Sequence, residues 1–259
     1  MKTVFVNGSP KKRFCASAYF LFLQRLFVGG KKVTLKLRTP ADHEAILKEL
    51  DDAQAVVFAL PLYVDGIPSH VLRFLERMEV YCKEKGLRLC VYCIANNGFI
   101  EGKQNEPLMQ QFENFCARAG LVWGGGVGIG GGVMLNVTRI VFEVQIGLLL
   151  LNVLLSVIRE GNFFPKDAFL SFGENALYLL FFNAGLLVYL ARLGRFIRKG
   201  ACAGKKYTRI LVPSFIFILF ADIFFIIVSL LEGGHLPGVA LEKEAYGSLA
   251  ETTACRTCM

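Results

Sequence analysis

Residues able to hold an anion and a flat ring gather at three places in the first 105 positions. The first is Gly8-Ser9-Pro10-Lys11-Lys12-Arg13-Phe14-Cys15-Ala16-Ser17-Ala18, which mixes small, hydroxyl and basic residues. Its backbone N–H groups and hydroxyls can surround a phosphate, and a helix starting near Ser17 points its positive end at the anion. It lacks the Gly-Lys-Ser/Thr ending of a triphosphate loop, and on its own it is equally an ordinary turn with a serine cap. The second, Pro61-Leu62-Tyr63-Val64-Asp65-Gly66-Ile67-Pro68-Ser69, is stiffened by prolines and offers Tyr63 as a flat face. Ser69 is also placed to cap a helix running from His70. The third, Asn96-Asn97-Gly98-Phe99-Ile100-Glu101-Gly102-Lys103-Gln104-Asn105, supplies amides and free N–H groups suited to the edge of a heterocycle.

The elements that must position these loops follow from hydrophobic patterning. Short apolar runs at 3–6, 33–37, 55–60, 87–95 and 121–123 read as strands. Between them, 16–27, 42–50, 69–85 and 106–119 place apolar residues near a 3.6 period and read as helices. Strand–helix alternation predicts a parallel sheet covered on both faces. In a doubly wound sheet of order 2-1-3-4-5, strands one, three and four are neighbours. Their loops then meet at the carboxyl edge, at the topological switch point.

The three loops together resemble the NADPH-dependent FMN reductase branch of the flavodoxin-like superfamily. The likeness is to G-S-P-[RK]-x…S/T-A after strand one, P-x-Y-x-[DG]-x-x-P-S/G after strand three and N-x-G-F-x-E-x-x-Q-N after strand four. It spans about the first 135 residues, in order. The resemblance implies a flavodoxin-like α/β fold with a five-stranded parallel sheet in residues 1–160. It also implies that Ser9, Lys11, Ser17 and Ala18 hold the FMN phosphate. Pro61, Leu62, Tyr63, Val64 and Asp65 would line the isoalloxazine, with Asn97, Gly98 and Phe99 along its other edge. The implied reaction is hydride transfer from NADPH or NADH through the flavin to an acceptor, a quinone being one candidate. The cofactor carries that chemistry, so no catalytic acid or base is required of the protein. A one-electron carrier and a non-enzymatic flavin-binding sensor or scaffold remain open as alternatives.

Other features exclude more than they assign. Gly126-Val127-Gly128-Ile129-Gly130-Gly131 fits a dinucleotide fingerprint, but no further strand with a ribose-binding acid follows, so close packing of the fifth strand is the expected reason for these glycines. Cys90 and Cys93 would point to opposite faces of a strand, and Cys255 and Cys258 have no second ligand pair, so the eight cysteines are read as reduced thiols with no metal. His43, His70 and His235 stand apart and read as surface or loop residues. No secretory signal is visible, which leaves the flavin domain cytoplasmic. The net charge of +8 is concentrated in Arg192, Arg195, Arg198, Lys199, Lys205, Lys206 and Arg209, with no acid among them. Between apolar segments, such a block reads as a cytoplasmic membrane-flanking loop rather than a nucleic-acid surface.

The second half of the chain is strongly hydrophobic. Residues 210–231 carry one charge, Asp222, and 168–191 carry only Glu174; both are long enough to span a bilayer. Residues 140–158 contain Glu143 and either form a further span or serve as the last sheet-covering helix. The reading is a multi-pass protein of the cell membrane, with 161–235 as a hydrophobic helical region and 236–259 as a flexible tail. An even number of spans between the flavin domain and the basic block favours three spans. Two spans, helices lying in the interface and packing in a homo-oligomer are the alternatives. Asp222 is read chiefly as a helix-pairing or neutral carboxyl, with a proton-handling or quinone-related role second.

Overall fold

The computed structural model describes residues 1–12, 15–209 and 214–231. The strands are β1 (Lys2–Asn7), β2 (Lys31–Lys36), β3 (Ala55–Pro61), β4 (Cys90–Asn96), β5 (Val122–Ile129) and β6 (Lys205–Tyr207). The helices are α1 (Ala16–Leu26), α2 (Asp42–Leu50), α3 (Ser69–Lys85), α4 (Glu106–Ala119), α5 (Gly132–Glu160), α6 (Lys166–Lys199) and α7 (Ser214–Leu231). All strand pairs are parallel, in the order β2-β1-β3-β4-β5-β6. This is the flavodoxin-like order extended by one strand. The sheet therefore has six strands where five were expected.

Alternation along the central strands explains the two cores. Val56, Phe58 and Leu60 of β3, with Val91, Cys93 and Ala95 of β4, pack against α2, α3 and α4. Val57 and Ala59, with Tyr92 and Ile94, face the opposite side among residues of α1 and α6. Cys93 and Cys90 belong to these two different faces, as the strand period requires.

The glycine run is part of β5, which reaches Ile129 rather than stopping at residue 123. Close approach accounts for it. A Cβ on Gly124 would come within 2.4 Å of the Tyr92 ring, and one on Gly126 within 2.3 Å of the Cys93 carbonyl. The buried Tyr92 hydroxyl donates to the Ala201 carbonyl at 2.9 Å, joining β4 to the segment after α6.

The cover of the α1 side comes from an unexpected place. Leu186, Leu190, Leu193 and Ile197 recur at helical spacing in the second half of α6 and are all buried. Gly194 lets that half approach α1; a Cβ there would lie 2.7 Å from Phe27. Among the described residues, α5 contributes only Leu135, near its start, to this core cluster. Its stretch Arg139–Arg159 is long and apolar enough to cross a membrane, and none of its most apolar window is buried. α6 bends by 59° between Lys166–Phe181 and Asn183–Lys199, so 168–191 is not one straight span. The basic block is likewise not a loop: Arg192, Arg195, Arg198 and Lys199 lie on α6, and Lys205 and Lys206 lie on β6.

The chain divides into two units, Met1–Ile210 and Leu211–Met259. In the second, α7 is helical over Ser214–Leu231 with Asp222 exposed. The start of the expected 210–231 span, His235 and the 236–259 tail lie outside the described residues.

β6 is short, and charged side chains add to its backbone pairing with β5. Lys205 Nζ lies 3.0 Å from Glu106 Oε1 and 2.7 Å from Glu113 Oε2, and the Tyr207 hydroxyl donates to Glu106. The Tyr207 hydrogen bond, with further bonds from Gln110 and Lys205, holds the Glu106 carboxyl down at about 2, against an ordinary 4.5. A carboxyl depressed in the folded state contributes stability above its unfolded value and loses it as pH falls through the folded one. Protection of the β6 amides from hydrogen exchange should therefore fall selectively between about pH 4.5 and pH 2. Glu106→Gln should weaken β6 at neutral pH and remove that acid step.

Candidate functional site

The sheet brings the first, second and third loops together at its carboxyl edge. They enclose a cleft of about 220 Å³ lined by Ser9, Lys11, Cys15, Ser17, Pro61, Tyr63, Asn96 and Gly98, among others. Of the twelve residues expected there, Ser9, Lys11, Ser17, Pro61, Leu62, Tyr63, Asn97 and Gly98 line it. Ala18 instead lines a different cleft, between α1, α5 and α6. Val64, Asp65 and Phe99 are exposed and do not line the cleft.

Asn96, at the end of β4, is the residue that joins the loops. Its buried Nδ2 donates to Ser17 Oγ at 2.9 Å and to the Leu60 carbonyl at 2.9 Å. One side chain thus ties β4, the start of α1 and the end of β3. Asn96 was not among the expected site residues, although a polar side chain ending a buried central strand was the available signal.

Asn97 has a different role from the one its type suggested. Its Oδ1 accepts from Phe99 N–H at 3.1 Å and its Nδ2 donates to the Glu101 carbonyl at 3.1 Å. The side chain is spent on closing its own loop, and the backbone N–H donates to the Ile129 carbonyl at 3.1 Å while the carbonyl accepts from Gly132 N–H at 2.7 Å.

The first loop is braced from three directions. Asn7 Oδ1 accepts from Ser9 N–H at 3.0 Å, and Gly8 N–H donates to the Ala59 carbonyl at 2.8 Å. His70 Nε2 lies 3.1 Å from the Gly8 carbonyl, so this histidine is a brace and not a free surface residue. Arg38, after β2, donates to the Lys11 carbonyl at 2.7 Å and brings a further positive charge to the loop. Cys15 forms the N-cap of α1 without a side-chain cap bond, so among the described residues no side chain caps the first-turn amides. Arg13 and Phe14 lie outside the described residues.

The second loop turns tightly. Tyr63 and Gly66 exchange backbone hydrogen bonds of 3.1 and 2.9 Å, and the two residues between them have positive φ, 45° at Val64 and 56° at Asp65. A β-branched residue in this region is strained, by about 1–3 kcal/mol. Ser69 is the first helical residue behind Pro68 and makes no capping bond, contrary to its expected role. His43 is also not at the surface. It is buried edge-on to Phe74 with ring centres 5.2 Å apart, and burial together with the Arg77 charge lowers its pKa.

No family model and no curated protein matches the chain. Among solved structures it is similar to the Trp repressor binding protein from Bacillus subtilis, with 21% identity over 48% of this chain and 85% of that chain and a TM-score of 0.39. It is similar to an azoreductase from Bacillus anthracis, with 15% identity over 51% of this chain and 87% of that one, TM-score 0.39. An NADPH-quinone reductase from P. pentosaceus matches with 14% identity over 48% and 81% of the two chains, TM-score 0.39. At these values the likenesses carry nothing about activity, and the fold assignment rests on strand order and register.

Because Asn96 satisfies two partners on other elements, its loss should be felt throughout the cleft. Asn96→Ala is expected to lower the free energy of unfolding by about 1–3 kcal/mol, read by chemical denaturation. An unchanged midpoint would show that the loops are held without this amide.

Proposed function

We propose that the chain is a membrane-attached, FMN-dependent oxidoreductase that uses NADH or NADPH. The observation that supports this most is the meeting of an uncapped helix start, a basic and hydroxyl loop and an aromatic loop in one cleft at the switch point. Ser9, Lys11 and Ser17, with the first-turn amides of α1, would hold the FMN phosphate. Pro61, Leu62 and Tyr63 would bound the ring on one side, with the Asn97–Gly98 backbone on the other. The cleft is smaller than the usual ligand site of about 300–1,000 Å³, so the ring would rest toward its rim. Tyr63, which lines the cleft, is 42% exposed and so open to a cosubstrate. Ala18 supports this role only as a neighbour of Ser17. FMN, when bound, would supply the redox chemistry of a nicotinamide-dependent reductase, with a quinone as one candidate acceptor.

Membrane attachment is proposed for a physical reason. An apolar helix of membrane-crossing length in a protein interior is buried, and α5 is not. α5 leaves the sheet at Gly132, beside Asn96, and α6 returns to pack on it from Leu186 onward. Both ends of this helical pair are therefore on the same side, as two passes would require. The basic residues of α6 and β6 belong to the same unit as the cleft, which fits a cytoplasmic face.

The test is the visible spectrum of the full-length protein after gel filtration. About one flavin per chain is expected, released as FMN, and it should bleach fully under anaerobic NADH or NADPH. Colourless protein that does not take up added FMN would overturn the reading. Slow bleaching by both nicotinamides would favour a one-electron carrier.

A further inference from the structure

A second cleft, of about 730 Å³, lies between α1, α5 and α6 and shares no lining residue with the first. Its size falls within the usual range of small-molecule sites, about 300–1,000 Å³. Its walls are mainly hydrocarbon: Tyr19 of α1, Phe142 and Ile146 of α5, and Leu179 of α6 typify them. The charged lining residues are Arg139 and Glu143, and they neutralise each other. Arg139 Nε donates to Glu143 Oε1 at 2.8 Å, and the guanidinium lies 5.7 Å from the Tyr19 ring centre. Arg139 also begins the apolar stretch of α5, at the end nearest the sheet. Beyond it Leu148, Leu150, Leu151 and Leu154 are at least half exposed.

We propose that this cleft binds a neutral amphiphile with a single long hydrocarbon chain, taken from the lipid phase. The chain lies among α1, α5 and α6, and its hydrogen-bonding head meets the Arg139–Glu143 pair beside Tyr19. Three features select this occupant. An apolar wall rewards hydrocarbon in proportion to the area covered. An internally paired arginine gives an anionic head little net attraction, while both partners keep hydrogen-bonding capacity for a neutral one. The cleft is continuous with an exposed apolar helix face of bilayer-spanning length, so a lipid-borne molecule reaches it sideways without crossing water. The source of the ligand rests on the membrane reading of α5; the binding does not rest on FMN. Tyr19 in this cleft and Ser17 in the other lie within one turn of α1, so the proposed oxidoreductase would hold a lipid-soluble molecule close to its reaction site.

The experiment uses full-length protein in its membranes and hexadecanol bearing a photoactivatable diazirine, followed by peptide mapping. Labelling is expected on α1 near Tyr19 and on α6 near Leu179, with excess unlabelled hexadecanol competing it away. Leu179→Trp and, as an independent filling variant at another lining residue of α6, Ala176→Phe should each cut that competed labelling by about tenfold. Labelling of the outward face of α5 near Leu150 should persist in both. Uncompeted labelling spread evenly over α5, or full labelling of α1 in both variants that retain a native unfolding midpoint, would overturn the site. Equal competition by hexadecanoate would overturn the neutral-head assignment. Carbonate washing of the same membranes separates the two claims. Release of the protein overturns its lipid source, whereas loss of competed labelling in retained protein overturns the cleft.

Discussion

A parallel sheet must be covered on both faces, and this requirement organises the molecule. On one face α2, α3 and α4 meet it with evenly spaced apolar residues. On the other, α1 covers part, and the remainder falls to the second half of α6. Four residues of that half, Leu186, Leu190, Leu193 and Ile197, are almost fully buried, each contributing about 1.5–3 kcal/mol. The same helix begins, before its bend, with exposed Phe169, Leu170 and Leu177. One element therefore belongs at one end to the α/β core and at the other to an apolar surface. The apolar helices are not an appendage that could be cut away at residue 161 without cost to the sheet.

The cleft depends on the same economy of parts. Asn96 holds α1 to the ends of β3 and β4, and Gly132, where α5 starts, sits against Asn96 and Asn97. A helix that leaves the sheet at this point is coupled to the cleft through the backbone itself. α1 runs from that cleft to the wall of the second one, so the two proposed sites share a single rigid element.

Much of this was legible in the residues. α2, α3 and α4 have the bounds that their periodicity predicts, because each is an amphipathic helix whose pattern stops at a polar or glycine residue. The convergence of three loops followed from strand order alone. β6 was not legible: Lys205-Lys206-Tyr207 has no apolar run, and besides its backbone pairing with β5 it is held by Glu106 and Glu113, about a hundred positions earlier. The role of α6 was hidden for another reason. Leucine-rich sequence suits a sheet face as well as a lipid, and hydropathy does not distinguish them. The basic residues of this helix look the same on its outward face as in a loop. At the site, residue type suggested that Asn97 faced a ligand, whereas it is Asn96 that carries the inter-loop bonds. Only the strand register separates the two.

The second half of α6 is part of the unit that forms the cleft. Two truncated chains, one ending at Gly161 and one at Arg209, test it directly when compared for FMN uptake and cooperative unfolding. The chain ending at Arg209 is expected to bind FMN and unfold cooperatively, while the chain ending at Gly161, with the sheet uncovered on the α6 side, is expected to do neither. A Gly161-terminated chain that is soluble, yellow and cooperatively folded would contradict it.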